Sequence, residues 1–178
     1  MKALLGIATL IDGLLAGASV DQSVEQLPSR HQIGVRAYRA YSQSSHMANG
    51  RFWLIPLGIG APLLRVVAAL RARSHDLSGI QSVPIHLAAG LGVAHALSTV
   101  KAAGINWAIT PWQPPERQIT DEAQLADVFN RFERWQAVRA GLQFLTFAAG
   151  VWALTASDEH TRRLPHASNR FIQADTRT

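Results

Sequence analysis

Four stretches of this chain lack the regular return of polar positions that a water-facing helix or strand requires. Residues 3–20 are apolar apart from Asp12, and residues 52–70 are apolar apart from Arg65. Residues 77–100 and 140–157 contain no Asp, Glu, Lys or Arg. Each stretch approaches the roughly 20 helical residues that cross a hydrocarbon core. Ala, Leu and Gly dominate, and period-two alternation is absent, which argues for helices over strands. A soluble four-helix bundle is the competing reading, but it needs outer faces rich in Glu and Lys, which these stretches lack. The pattern predicts an all-α, integral membrane, antiparallel four-helix bundle, with spans near residues 3–24, 50–71, 79–103 and 135–157.

The connections carry patterns of their own. Residues 29–48 set Ile33, Ala37, Tyr38 and Tyr41 among Arg30, Arg36 and Arg39, with Ser29 placed to cap. This is an amphipathic piece suited to the headgroup layer. The second connection, near residues 71–78, is short and basic. The third breaks at Pro111, Pro114 and Pro115 and restarts at Thr120, a suitable N-cap followed by Asp121 and Glu122. From there an apolar stripe of Leu125, Val128, Phe129, Phe132 and Trp135 runs into the last span. The fourth helix is thus expected to be long, with an overhang over residues 121–134. Residues 1–157 form one membrane domain and residues 158–178 a polar tail. Lys2, the first apolar run and Ala16-Gly17-Ala18 also have the shape of a signal peptide, but Asp12 in mid-run opposes that reading. Gly13 and Gly17 form a GxxxG pair, suited to packing within the bundle or to homodimerisation.

Composition changes this picture little. The net charge of +5 is carried largely by arginine, since Lys2 and Lys101 are the only lysines. The arginines flank apolar runs, so the expected partner is a lipid bilayer with anionic headgroups, and nucleic acid is not. The absence of cysteine excludes disulfides, thiolate chemistry and thiolate-bound metal. Charges nearest the span ends favour cytoplasmic termini, and the expected location is a bacterial cytoplasmic membrane.

Antiparallel spans bring alternate ends to one membrane face. That mouth gathers Asp21 and Gln22 from the first span, Asn49 from the second, Asn106 and Trp107 from the third, and Trp135 from the fourth. Polar residues also recur at helical spacing inside the spans. Thr9, Asp12, Ala16 and Ser19 form one row; His95, Ser98 or Thr99, Ala102 and Asn106 form a second; Trp135, Arg139, Gln143, Thr146 and Gly150 form a third. Lipid penalises such groups, so the rows should turn inward and line one interior. Counted from the mouth, Asp12 and His95 lie at similar depth. Together they form either a general-base pair or an interhelical hydrogen bond that fixes register. Arg139 either pairs with Glu133 or faces an anionic group on a ligand. His86 and His95 are nine residues apart on opposite helix faces, and no metal-ligand spacing such as HExxH occurs, so no metal site is expected.

The segments LLAGASVDQSVEQLP (14–28), GVRAYRAYSQSSHMANGRFW (34–53) and DVFNRFERWQAVRAGLQFLTFAAGVWAL (127–154) resemble the anthrone-oxygenase-like family of small four-span membrane proteins. The likeness covers most of residues 3–156 and rests on span order, on Asn106, and on Trp135 and Arg139 at the start of the last span. The resemblance implies oxygenation of an activated phenolic CH₂ to a ketone by O₂, without metal, flavin or other cofactor. It would give His95 or Asp12 the role of base, and Trp107 and Trp135 that of stacking on a flat hydrophobic substrate. The alternative is a non-catalytic membrane protein: an accessory subunit bound to a membrane partner or a second copy, a lipid-binding module, or a small-molecule carrier. An enzyme needs a polar pocket that reaches His95, whereas an accessory subunit would close its centre.

Overall fold

The computed structural model describes residues 1–74, 79 and 82–163, and of residues 46–49, 51 and 158–163 the backbone only. Among the described residues there are helices and no strands. Helix α1 (Lys2–Asp21) passes through a π-helical turn, Gln22–Gln26, into α2 (Leu27–Ile33). Gly34, at φ +84°, then breaks the helix before α3 (Val35–Ser42). That backbone conformation suits glycine alone, because a Cβ would strain it. A second π-helical stretch, Gln43–Gly50, leads into α4 (Arg51–Ser74). Helices α5 (Ser82–Trp107) and α6 (Glu122–Arg163) follow, joined by a segment with a short 3₁₀ turn at Pro115–Arg117.

Four helices are long and apolar enough to cross a membrane: Lys2–Ile33, Phe52–Ser74, Ser82–Trp107 and Glu122–Ser157. The protein is an all-α four-helix bundle of the integral membrane type. The spans form a ring in which α6 packs against α5 and α1, and α4 packs against the same two. The outer surface is lipid-like: Leu10, Leu14, Phe52, Leu63, Leu97 and Val100 are all exposed. A soluble bundle would bury such residues, but here the hydrocarbon covers them. Trp53 at the start of α4 and Trp107 at the end of α5 are exposed at the same end of the bundle, where an interfacial aromatic belt belongs.

Pro56 and Pro62 both lie inside α4, each removing a backbone donor, which transmembrane helices tolerate when neighbours re-satisfy the freed carbonyls. Gly13 explains one close contact. A Cβ there would stand 3.0 Å from Phe147 Cε2 on α6. Gly17, its GxxxG partner, has nothing within 4 Å of that position. Gly13 therefore serves packing within the bundle, and Gly17 faces outward.

The connection after α1 lies on the overhang of α6. Leu27 and Tyr38 share one core with Ala102, Ile109, Leu125, Val128, Phe129 and Phe132. The Tyr38 ring meets Phe129 edge-on, with centroids 5.1 Å apart. Arg30, only 3 % exposed, donates to Glu133 and, at 2.6 Å, to Asn130 Oδ1. Arg39 donates to the Ile119 carbonyl at 2.8 Å. Of the apolar face that periodicity assigned to the headgroup layer, Tyr38 is covered by protein in a small extramembrane cap, whereas Ile33, Ala37 and Tyr41 are exposed. Asp121, not Thr120, caps α6: its Oδ1 accepts from the Gln124 backbone N–H at 2.8 Å. Ser29 lies within α2 and donates to the Gln26 carbonyl. Helix α6 continues beyond residue 158 to Arg163.

Candidate functional site

Two polar groupings lie inside the bundle. The deeper is built around Arg65, the only charge among residues 52–70. Its side chain is 1 % exposed and reaches all four spans. The Cγ passes Gly92 of α5, where a Cβ would stand 3.9 Å away. The guanidinium rests against the backbone of Gly150 on α6. It ends on α1, where Nε and Nη2 each donate to Asp12 Oδ2 at 2.7 Å and Nη2 donates to Thr9 Oγ1 at 3.0 Å. Thr9 in turn donates to the Leu5 carbonyl at 2.8 Å. Gly150 is what makes this possible, because a Cβ there would lie 2.8 Å from Arg65 Cζ and 2.9 Å from Thr9 Oγ1.

This arrangement corrects the pairing expected from depth. Asp12 is committed to Arg65 and not to His95. A carboxylate held by two donors from one guanidinium is charge-neutralised, which is how an ion pair survives in hydrocarbon. Asp12 therefore acts as a structural counter-ion in this fold.

The second grouping lies nearer the mouth, on the face of α6 that turns toward α1 and α5. Gln136, Arg139, Gln143, Thr146 and Gly150 step by three and four along it, a run of about 21 Å at 1.5 Å per residue. Gln136 is fully buried; its Nε2 donates to the Ser19 carbonyl at 3.3 Å, and its Oε1 has no partner among the described residues. Gln143 is 1 % exposed, and its Oε1 likewise has none among them. Arg139 is half-buried, its Nε enclosed and without a partner among the described residues. Among the described residues it forms no ion pair, because Glu133 is taken by Arg30. His95 is buried on α5; its Nε2 lies 3.4 Å from Thr99 Oγ1, and Arg139 is the charged group whose field reaches its ring. Ser98 donates back to the His95 carbonyl at 2.7 Å.

The remaining predicted residues divide at the mouth. Asp21 is exposed and accepts from Gln26; Gln22 is half-buried in the π turn. Trp107 points outward beside Trp112, with centroids 6.3 Å apart. Trp135 packs on the cap core. Asn106 is half-buried, and its carbonyl accepts from the Ile109 N–H. The side chain of Asn49 lies outside the described residues. Two open depressions on the outer surface, one beside Ile119 and Asp127 and one beside Leu97 and Lys101, are lined by none of His95, Asp12, Arg139 and Gln143. Among the described residues, no group of three histidine or acidic side chains is placed to hold a metal ion.

Neither protein-family models, curated proteins nor solved structures give a match to this chain.

Of the predicted set, the fold buries Asp12, His95 and Gln143 and half-buries Arg139, commits Asp12 to Arg65, and turns Trp107 outward and Trp135 onto the cap. It adds Arg65 and Gln136. Arg65 was visible as a lone charge in an apolar run, but its partner was not. An arginine stem spans about one helical turn, so depth along the helix does not fix what the guanidinium meets. Gln136 precedes the charge-free part of the last span by four residues, and reads as a headgroup residue until the i, i+3, i+7 run to Arg139 and Gln143 is noticed.

Proposed function

We propose that this protein binds a hydrophobic molecule bearing a hydroxyl or phenol group, within a bacterial cytoplasmic membrane, at the inner face of α6. One observation carries the proposal: Gln136 Oε1, Arg139 Nε and Gln143 Oε1 are buried at helical spacing and, among the described residues, have no hydrogen-bond partner. A buried polar atom left unsatisfied costs about 1–3 kcal/mol, so a ligand that satisfies several of them gains that much on binding. The set mixes acceptors with a donor. A hydroxyl can donate to a glutamine oxygen and accept from Arg139 at once, whereas a carboxylate only accepts.

The test is a titration of the detergent-purified protein with a hydroxyanthrone, followed by tryptophan quenching. Saturable binding is expected, weakened about 10-fold or more in Arg139→Met and in Gln143→Leu, the cost of losing one hydrogen bond, charged or neutral. The same Gln143→Leu should leave the thermal stability of the free protein unchanged or raise it, because it removes an unsatisfied group. Equal binding by wild type and both variants would end the proposal, and weaker binding with matching loss of stability would reassign these residues to the fold.

Oxygenation of the bound molecule is the second reading, favoured by the buried His95 ring on α5, whose Nε2 lies 3.4 Å from Thr99 Oγ1. There His95 would take the proton from an activated ring CH₂, O₂ would add to the carbanion and take up that proton as a hydroperoxide, and loss of the remaining C–H hydrogen with the outer oxygen as water would leave the ketone. Oxygen-electrode assays with the same compound test it: uptake should require His95, and turnover unchanged in His95→Ala would remove that role. The non-catalytic reading, carrier or accessory subunit, predicts binding without uptake.

A further inference from the structure

A groove of about 420 Å³ runs down the outside of the bundle between the last turns of α5 and the overhang of α6. Leu97 and Val100, at 68 % and 71 % exposed, form its lower wall, and Gly104 its open upper floor, with nothing within 4 Å of where a Cβ would project. Lys101 and Arg131 both line it. Arg131 is exposed, with its Nε 3.2 Å from Asp127, and Lys101 is exposed.

The level of these residues in the membrane gives the groove its chemistry. Leu97 and Val100 end the charge-free stretch of α5, and Lys101 is the first charge after it. The exposed Trp107, six residues on, belongs to the interfacial belt. The apolar wall therefore lies in the acyl region and the two cations at the phosphate level. We propose that this groove binds one anionic phospholipid of the surrounding bilayer, with an acyl chain along Leu97 and Val100 and the phosphate between Lys101 and Arg131. The opposite charges select an acidic headgroup over a zwitterionic one, and Gly104 leaves room for the glycerol backbone. None of the residues in the α6 seam lines the groove, so this site stands or falls apart from the proposed function.

Native mass spectrometry of the full chain in detergent, titrated with dioleoylphosphatidylglycerol or dioleoylphosphatidylcholine, tests it. Phosphatidylglycerol should be retained at one copy in preference to phosphatidylcholine. Lys101→Gln and Arg131→Gln should each weaken that adduct about fivefold, as expected for one basic residue at an anionic surface. Gly104→Leu should weaken it without changing charge, because it fills the floor. Glycerophosphoglycerol, the headgroup without chains, should not displace the adduct at equal concentration. Equal retention of the two lipids, or retention unchanged by Lys101→Gln with Arg131→Gln, would overturn the assignment. Displacement by the free headgroup would also overturn it, by making the occupant a soluble phosphate ester.

Discussion

Replacing Gly150 with alanine tests the centre of the bundle most sharply. The added methyl carbon would fall on the Arg65 guanidinium, 2.8 Å from Cζ, and 2.9 Å from Thr9 Oγ1. The end of an arginine is ordinarily free to move aside. Here it is pinned by Asp12 and Thr9 on α1, so moving it breaks the pair. Losing one side of a buried ion pair costs about 3–5 kcal/mol. Alanine in place of a helical glycine returns about 1 kcal/mol. The net expectation is a loss of about 2–4 kcal/mol, or roughly 4–16 °C in Tm for a chain of this size. Thermal unfolding in detergent, followed by tryptophan fluorescence, reads this directly. Gly141→Ala is the control, since Gly141 is exposed on the same helix with nothing within 4 Å of its Cβ position, and it should be neutral or mildly stabilising. In a background of Thr9→Ala, Asp12→Ala and Arg65→Ala neither the guanidinium nor the hydroxyl is there to displace, and Gly150→Ala should then behave like Gly141→Ala. The reasoning is refuted if the two glycine variants are indistinguishable in the native background, or if the Gly150→Ala penalty survives in the truncated one.

Three further outcomes follow from the same geometry. Glu133→Gln should destabilise the cap by about 1–2 kcal/mol, since Arg30 is buried but Glu133 is 35 % exposed and partly screened; faster hydrogen exchange in α2 and α3, with the spans unchanged, checks it. Burial pushes the Tyr38 phenol up to about 12, with Tyr41 and Glu133 adding and Arg30 opposing. The folded state therefore holds that proton longer than the unfolded chain, so its contribution to cap stability is complete below pH 10.0 and is lost as pH rises to about 12. Ultraviolet titration of the Tyr41→Phe variant should show a single phenolate step above the ordinary tyrosine value of 10.0 but below that of Tyr38 in the native protein, because burial remains and the Tyr41 contribution is gone. Gly13→Leu should cost about 1–3 kcal/mol by overpacking against Phe147, whereas Gly17→Leu should be tolerated; differential melting of the two variants decides.

The spans were legible because hydrocarbon imposes one rule on every residue of a helix, and the charge-free stretches of α5 and α6 obey it. The overhang of α6 was legible from Leu125, Val128, Phe129 and Phe132 for a similar reason: the stripe continues without a breaker from Asp121. What covered that stripe was not legible. Tyr38 and Leu27 reach it only because the chain turns at Gly34 and winds through a π turn, and neither changes the hydrophobic pattern. The polar rows on α5 and α6 were read correctly as inward-facing, which brought His95, Arg139 and Gln143 into view. The partner of Asp12 was missed because depth along a helix locates a backbone, while the long stem of Arg65 lets its charge act about a turn away. Trp107 and Trp135 were read as walls of a mouth, yet one anchors outward and the other packs on the cap, a choice set by helix rotation rather than by sequence position.

Helix α6 has 42 residues, about 63 Å at 1.5 Å each and twice the hydrocarbon thickness. It holds no proline, so it offers no ready joint between the extramembrane cap and the oily interior. Asn130 and Glu133 grip Arg30 above, while Gly150 supports Arg65 below. Such a rod works as a lever: a partner that tips the outer helices also shifts the backbone on which the innermost cation rests. Spin labels at either end of α6 would have to move in concert.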